Sequence, residues 1–252
     1  MIDQAELYTL DGISRCGKYS FGPNRLHYCG PDQSRELQSL IEYGEANPEV
    51  SILLKQFKTL YPYLQYIART NGIAEPFDGR VVEAYWLGNK LLEKNPLEKF
   101  YRFLVDDLST KKKIGSRQFE WLEKKVAAGA VPHHSFHVLN VWQMSGHSDR
   151  LDEVERMDEC LVKSGKVLRV NGPEITVLTE VLSYANGRLF LSEPREKKIT
   201  RQLQTEYEIE QIRPGQIVSF HWSVPCEVIT ETQAKNLKKY NLQSIAFANQ
   251  TI

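Results

Sequence analysis

Two residues with ligand chemistry stand in β-branched runs about sixty positions apart. Cys160 opens Cys160-Leu161-Val162-Lys163-Ser164-Gly165-Lys166-Val167, and His221 lies near the end of Arg213-Pro214-Gly215-Gln216-Ile217-Val218-Ser219-Phe220-His221-Trp222. A thiolate and an imidazole brought together make a site for a transition metal of soft or borderline character. The same pair could instead be a small buried thiol and a core histidine. A second set, Cys16, His27 and Cys29, lies in an N-terminal segment rich in Gly, Pro, Tyr and Asn. Its cysteine spacing is not that of a zinc finger, so ligand or reactive-thiol roles compete with simple packing of Tyr19, Phe21, Leu26 and Tyr28 onto the rest of the chain. The third set is His133-His134-Ser135-Phe136-His137. His133 and His137 share a face in a helix and also in a strand, and two or three imidazoles can hold zinc, nickel or iron. No Glu stands between them as in a helical zinc-protease signature, and a surface or interface role is the alternative.

Other chemistries are excluded by pattern. There is no phosphate-binding Gly-x-x-x-x-Gly-Lys-Ser/Thr loop, no dinucleotide Gly-x-Gly-x-x-Gly and no Gly-x-Ser-x-Gly nucleophile elbow. Asp106-Asp107 sits at a helix end, where it caps or solvates. The 252 residues carry a formal net charge of zero, and neither side of residue 150 has a large excess of one sign. Partners with a dense negative field, nucleic acid or an anionic membrane, are not expected. Lys111-Lys112-Lys113 reads as a solvated connection between helices. The N-terminus lacks an apolar signal region, and no apolar stretch approaches the roughly 20 residues that cross a bilayer. A cytoplasmic chain is expected, its four cysteines present as thiols or ligands and not as a disulfide framework.

The elements that must position these residues change character along the chain. Residues 1–32 read as an irregular arm. Apolar spacing then predicts helices from Ser34 to about Gly44, through Ile52 to Ile67 with a kink or division at Pro62, after Asp78, after Asn95-Pro96, and from Ser116 to about Gly129. Residues 130–147 suit an extended segment or a helix, and 149–157 a short connecting helix. Beyond Cys160, strands are expected at 166–170, 175–182, 188–191 and 217–222, with turns at Asn171-Gly172-Pro173 and Asn186-Gly187 and a last helix capped by Thr230. The fold class is therefore α+β: an N-terminal arm plus helical domain over 1–150, then a small β-barrel with a C-terminal helix over 158–252.

The barrel region resembles the small nickel–iron hydrogenase maturation chaperones of the HypC/HupF type. The shared features are a cysteine leading into Gly165-Lys166-Val167, a Pro-Gly-x-x-Val-x-x-His segment formed by Pro214, Gly215, Val218 and His221, and the helix after Thr230. The cysteine here is internal, not N-terminal, and Ser164 stands where the family has proline. The resemblance implies that Cys160 and His221 handle iron, as an Fe(CN)2CO unit in transit, or another transition metal. It implies as partners a hydrogenase large-subunit precursor or other maturation proteins. The acidic neighbours Asp158 and Glu159 would raise the Cys160 pKa, with Lys163 and Lys166 offsetting them. The whole chain is similar to a poorly characterised prokaryotic family through Phe21-Gly22-Pro23-Asn24-Arg25-Leu26-His27-Tyr28-Cys29-Gly30-Pro31. An accessory, non-enzymatic role is expected. The alternatives are a metal-dependent enzyme built on His27, Cys29 and His133–His137, and a structural interaction module.

Overall fold

Apolar residues at helical spacing form most of the first half of the chain in the computed structural model, which describes residues 4–42, 48–142, 151–202 and 212–252. The helices are α1 (Gln4–Arg25), α2 (Ser34–Glu42), α3 (Pro48–Lys55), α4 (Leu60–Asn71), α5 (Gly79–Trp86), α6 (Leu97–Arg102), α7 (Thr110–Ile114), α8 (Ser116–Ala127), α9 (His134–Phe136) and α10 (Leu151–Cys160). α6 and α9 each run on into a π-helical turn, Phe103–Asp107 and His137–Trp142. Pro62 does not divide a helix. The break falls ahead of it, and Pro62 occupies the first turn of α4, where its missing N–H has no helical partner to lose.

The N-terminal arm expected over residues 1–32 is mostly helix. α1 contains Gly12, Gly17, Gly22 and Pro23, all poor local helix formers. Tertiary approach explains two of the glycines. A Cβ on Gly12 would lie 1.8 Å from the Phe77 carbonyl oxygen, and one on Gly22 2.8 Å from the His221 carbonyl oxygen. The helix is held by what these glycines let it touch, at a propensity cost of about 1 kcal/mol each. Among the described residues of this segment, those after Arg25 leave the helix, through a left-handed His27 (φ 58°) and Gly30 (φ 88°).

The second half carries β1 (Lys163–Asn171), β2 (Glu174–Thr179), β3 (Leu182–Ala185), β4 (Arg188–Leu191), β5 (Arg195–Thr200), β6 (Ile217–His221), β7 (Val224–Ile229) and α11 (Glu231–Ala248). The sheet order is β5-β2-β1-β6-β7, antiparallel at each ladder, with β3 and β4 paired apart as a hairpin. The expected closed barrel is therefore corrected to an open sheet. β3 and β4 pair only with each other, and β5 meets the β6–β7 turn through one bond, Thr200 N–H to the Ser223 carbonyl at 2.9 Å, not through a ladder. The two edges, β5 and β7, are strands the hydrophobic pattern did not announce. β5 is Arg-Glu-Lys-Lys-Ile-Thr and β7 contains Pro225, as suits exposed edges. α11 starts as expected, with a capping box between Thr230 and Gln233.

Residues from both halves share one apolar core. Tyr19, Tyr63, Tyr85, Phe100 and Phe103 belong to the same buried cluster as Val162, Val224, Leu237 and Phe247. α1 lies on β6 and β7, and α11 lies on β1, β6 and α9. Lys125 of α8 is 1% exposed and donates to Thr251 Oγ1 at 2.8 Å, with burial pushing its pKa down to about 8. Below pH 8 the ammonium is protonated in both states and the fold carries the cost of burying it. That cost fades as pH rises from 8 to the unfolded value of 10.5. Lys125→Met is expected to stabilise the protein by about 2 kcal/mol at pH 7, with the difference vanishing above pH ~10.5. Urea unfolding of both proteins at the two pH values checks this.

Candidate metal centre

His221 is positioned by the Phe21-Gly22-Pro23-Asn24 segment. A helical residue four places before a proline loses its N–H partner. Pro23 thus frees the Tyr19 carbonyl, and His221 Nδ1–H donates to it at 2.6 Å. Gly22 supplies the clearance for this approach. Asn24 then fixes the loop beyond the helix, its Nδ2 donating to the Cys29 carbonyl at 3.0 Å and the Pro31 carbonyl at 2.7 Å. On the strand side, His221 pairs with Val224 across a two-residue turn in which Trp222 (φ 52°) and Ser223 (φ 57°) are both left-handed. Such a turn favours Asn and Gly, so a tryptophan there is strained. Its ring stacks on Tyr28 with centroids 4.3 Å apart.

Cys160 ends α10 and is anchored by the acids before it. Asp158 pairs with the buried Lys163 and accepts the Leu182 N–H at 2.7 Å, and Lys197 lies 3.4 Å from the same carboxylate. Glu159 pairs with Lys197 and accepts from Ser223 Oγ at 2.8 Å, and its carbonyl accepts the Trp222 N–H at 3.0 Å. These carboxylates tie α10 to β1, β5 and the His221 turn. Burial is the first cause of the Cys160 shift, pushing the thiol up to about 12; nearby Cys29 adds to it and the Trp222 indole N–H opposes it. The expected push from Asp158 and Glu159 is absent because both are neutralised by lysines. Of the two expected to offset them, Lys163 does and Lys166 points to solvent.

The third member is His134, where the sequence pattern favours His133 and His137. His133 is the N-cap of α9 and accepts the Ser135 N–H through Nδ1, while its ring stacks on Tyr240. That cap makes His134 the first helical residue and turns it the other way. His134 Nδ1 meets the Tyr85 hydroxyl at 3.2 Å. Its ring packs on Trp86 at 4.5 Å and edge-on to His221 at 5.2 Å.

His134, Cys160 and His221 each offer one ligand atom, and these lie within 4.8 Å of one another. The two Nε2 atoms converge on the Cys160 carbonyl oxygen, at 2.9 and 3.0 Å. His134 can satisfy this contact as its Nε2–H tautomer, accepting from Tyr85. His221 cannot. Its proton is committed to Tyr19, so a neutral ring presents a bare Nε2 lone pair to an oxygen lone pair. Protonation would relieve the conflict, but burial pushes the His221 pKa down to about 4, and burial with the neighbouring His221 lowers that of His134 well below the usual imidazole value. A metal cation would relieve it without a proton, since both rings would then donate Nδ1–H outward, the usual arrangement for ligating histidines. It would also hold Cys160 as thiolate.

The site forms the floor of a pocket of about 560 Å³. Among the other residues expected to ligate, Cys29, His27 and His137 line this pocket. Cys29 is exposed as a residue, yet its thiol is close enough to Cys160 and Tyr85 to raise the pKa of both, and is itself pushed up to about 12 by burial. His137 Nδ1 lies 3.4 Å from the Tyr63 hydroxyl, and burial pushes its pKa down to about 3. His27 is at the rim, 3.9 Å from Asp32. Cys16 and His133 are not among the residues that line the pocket: Cys16 is wholly buried in the shared core beside Trp86, and His133 caps α9 with its ring on Tyr240.

No helix among the described residues is long and apolar enough to cross a membrane. Comparison with curated proteins gives no match, and comparison with solved structures gives none. A family model described as "Family of unknown function (DUF6390)" matches residues 8–252, and the chain belongs to that family.

Proposed function

We propose that this protein is a metal-handling accessory protein, with Cys160, His134 and His221 as ligands and Cys29 close by as a second thiolate. The observation that carries the proposal is the convergence of one thiol and two imidazoles within 4.8 Å, at a pocket floor where a lone-pair conflict calls for a cation. Thiolate and imidazole donors favour iron, zinc, cobalt or nickel over the hard cations. The resemblance of Cys160 and His221 to the hydrogenase-maturation chaperone pair supports a narrower reading. In it the cargo is an iron centre bearing cyanide and carbon monoxide, passed to a hydrogenase precursor. Anaerobic protein co-expressed with the enzymes that make that centre should then carry infrared bands of bound cyanide and carbon monoxide, and Cys160→Ala should lose them. Absence of the bands, together with full hydrogenase activity in a Cys160→Ala strain, would overturn the hydrogenase reading. A metal-dependent enzyme is the second reading, supported by His27, Cys29 and His137 lining the same pocket beside the ligands.

A further inference from the structure

We infer that Cys29 is an entry ligand: a metal cation on its way to or from the pocket floor is held by this thiolate and exchanged with Cys160. The inference deepens the metal reading proposed above and rests on it. Two of the floor donors are withdrawn from bulk water, His221 being 1% and His134 8% exposed. A cation reaches them through the pocket, whose walls include Tyr28, Phe57, Tyr85, Trp86 and Trp222. Shedding hydration water along such walls without a replacement ligand is costly. A thiolate part-way along supplies one, and it suits the same soft or borderline metals as the floor. Cys29 has that position. The residue is exposed, while its thiol is buried, carries no hydrogen bond among the described residues and lines the same pocket as Cys160. A charge on it is felt at both Cys160 and Tyr85. Yet its sulfur is not one of the donors gathered within 4.8 Å of one another. It therefore stands beside the set that holds the ion at rest and not in it. The position is built: Asn24, itself 1% exposed, holds the carbonyls of Cys29 and Pro31, and Gly30 seats the loop on Phe57, whose ring would lie 2.4 Å from a Cβ there. The destination is marked independently by the bare Nε2 lone pair that buried His221 presents. Protons balance in the exchange. Cys29 loses its thiol proton on taking the cation and regains one when the cation moves to Cys160, which loses its own.

Stopped-flow uptake of cobalt(II) by the reduced full chain, followed through the thiolate-to-cobalt charge-transfer band, tests this. Cys29→Ala should take up cobalt about tenfold more slowly and release it to excess chelator more slowly by a similar factor, while its equilibrium affinity stays within about threefold of wild type. Its final cobalt spectrum should match that of wild type. Cys29→His, which puts an imidazole in place of the thiolate, should recover most of the rate, with circular dichroism to show that both variants fold. Wild-type uptake rates in Cys29→Ala would overturn the entry role and leave the metal reading standing. A changed final spectrum together with a large loss of affinity would make Cys29 a resident ligand and overturn it too. Equal slowing in Cys29→Ala and Cys29→His would assign the effect to loop packing, again against the inference. A missing charge-transfer band in wild type overturns the metal reading and the inference with it.

Discussion

Cys160→Ala is expected to lower affinity for zinc or cobalt by at least about 100-fold, and His134→Ala and His221→Ala by similar factors, since each removes one of three donors. Tyr85→Phe should cost less, about tenfold, because it removes the partner of His134 Nδ1 and not a ligand. Competition against a chromophoric chelator measures these losses, with circular dichroism to show that the variants fold. The dependence on pH is a second signature. The thiol is pushed up to about 12 and the His221 imidazole down to about 4. At neutral pH the histidines are ready to ligate and the cysteine is not. Metal uptake should release about one proton, and affinity should rise about tenfold per pH unit between pH 7 and 9. Affinity independent of Cys160, or flat with pH, would rule out a thiolate ligand at this position.

Asp158→Ala should destabilise the fold by about 3–5 kcal/mol, the cost of leaving a buried ammonium without its counter-charge. Lys163 is 4% exposed and its pKa is pushed down to about 8 by burial even with Asp158 beside it. The substitution also strands the Leu182 N–H, which donates to Asp158 Oδ1. Because Asp158 lies two residues before Cys160, the loss should reach the candidate metal centre and weaken any metal binding measured there. The double variant Asp158→Leu/Lys163→Met should recover most of the stability, since it removes both charges together. Urea unfolding gives the comparison. A loss below about 1 kcal/mol for Asp158→Ala would mean that water reaches Lys163 and that the α10 anchor is weaker than its burial indicates.

Elements governed by local chemistry were legible. Asp78 caps α5 through the Arg80 N–H, Thr230 forms the capping box of α11, and Asn186-Gly187 makes the left-handed turn between β3 and β4. Each depends on residues a few positions apart. α1 was not legible, because its glycines and proline argue against a helix locally and are offset by tertiary contacts, among them those with Phe77 and His221, far along the chain. Closure of the sheet was not legible either, because it depends on which strands stand at the edges.

The site divides the same way. Residue type and motif put forward Cys160, His221, Cys29, His27, Cys16, His133 and His137, of which Cys160, His221, Cys29, His27 and His137 line the pocket. His134 could be chosen over His133 only once the α9 cap and the Tyr85 hydroxyl were in place. Cys16 and Cys29 look alike in sequence, yet one lies in the shared apolar core and the other lines the pocket, because the helix ends between them. The sequence by itself determined the candidate residue types and most of the elements, through interactions within a turn or two of the backbone. Tertiary structure decided which donors meet, because their approach is set by packing between residues as much as two hundred positions apart, such as Tyr19 and His221.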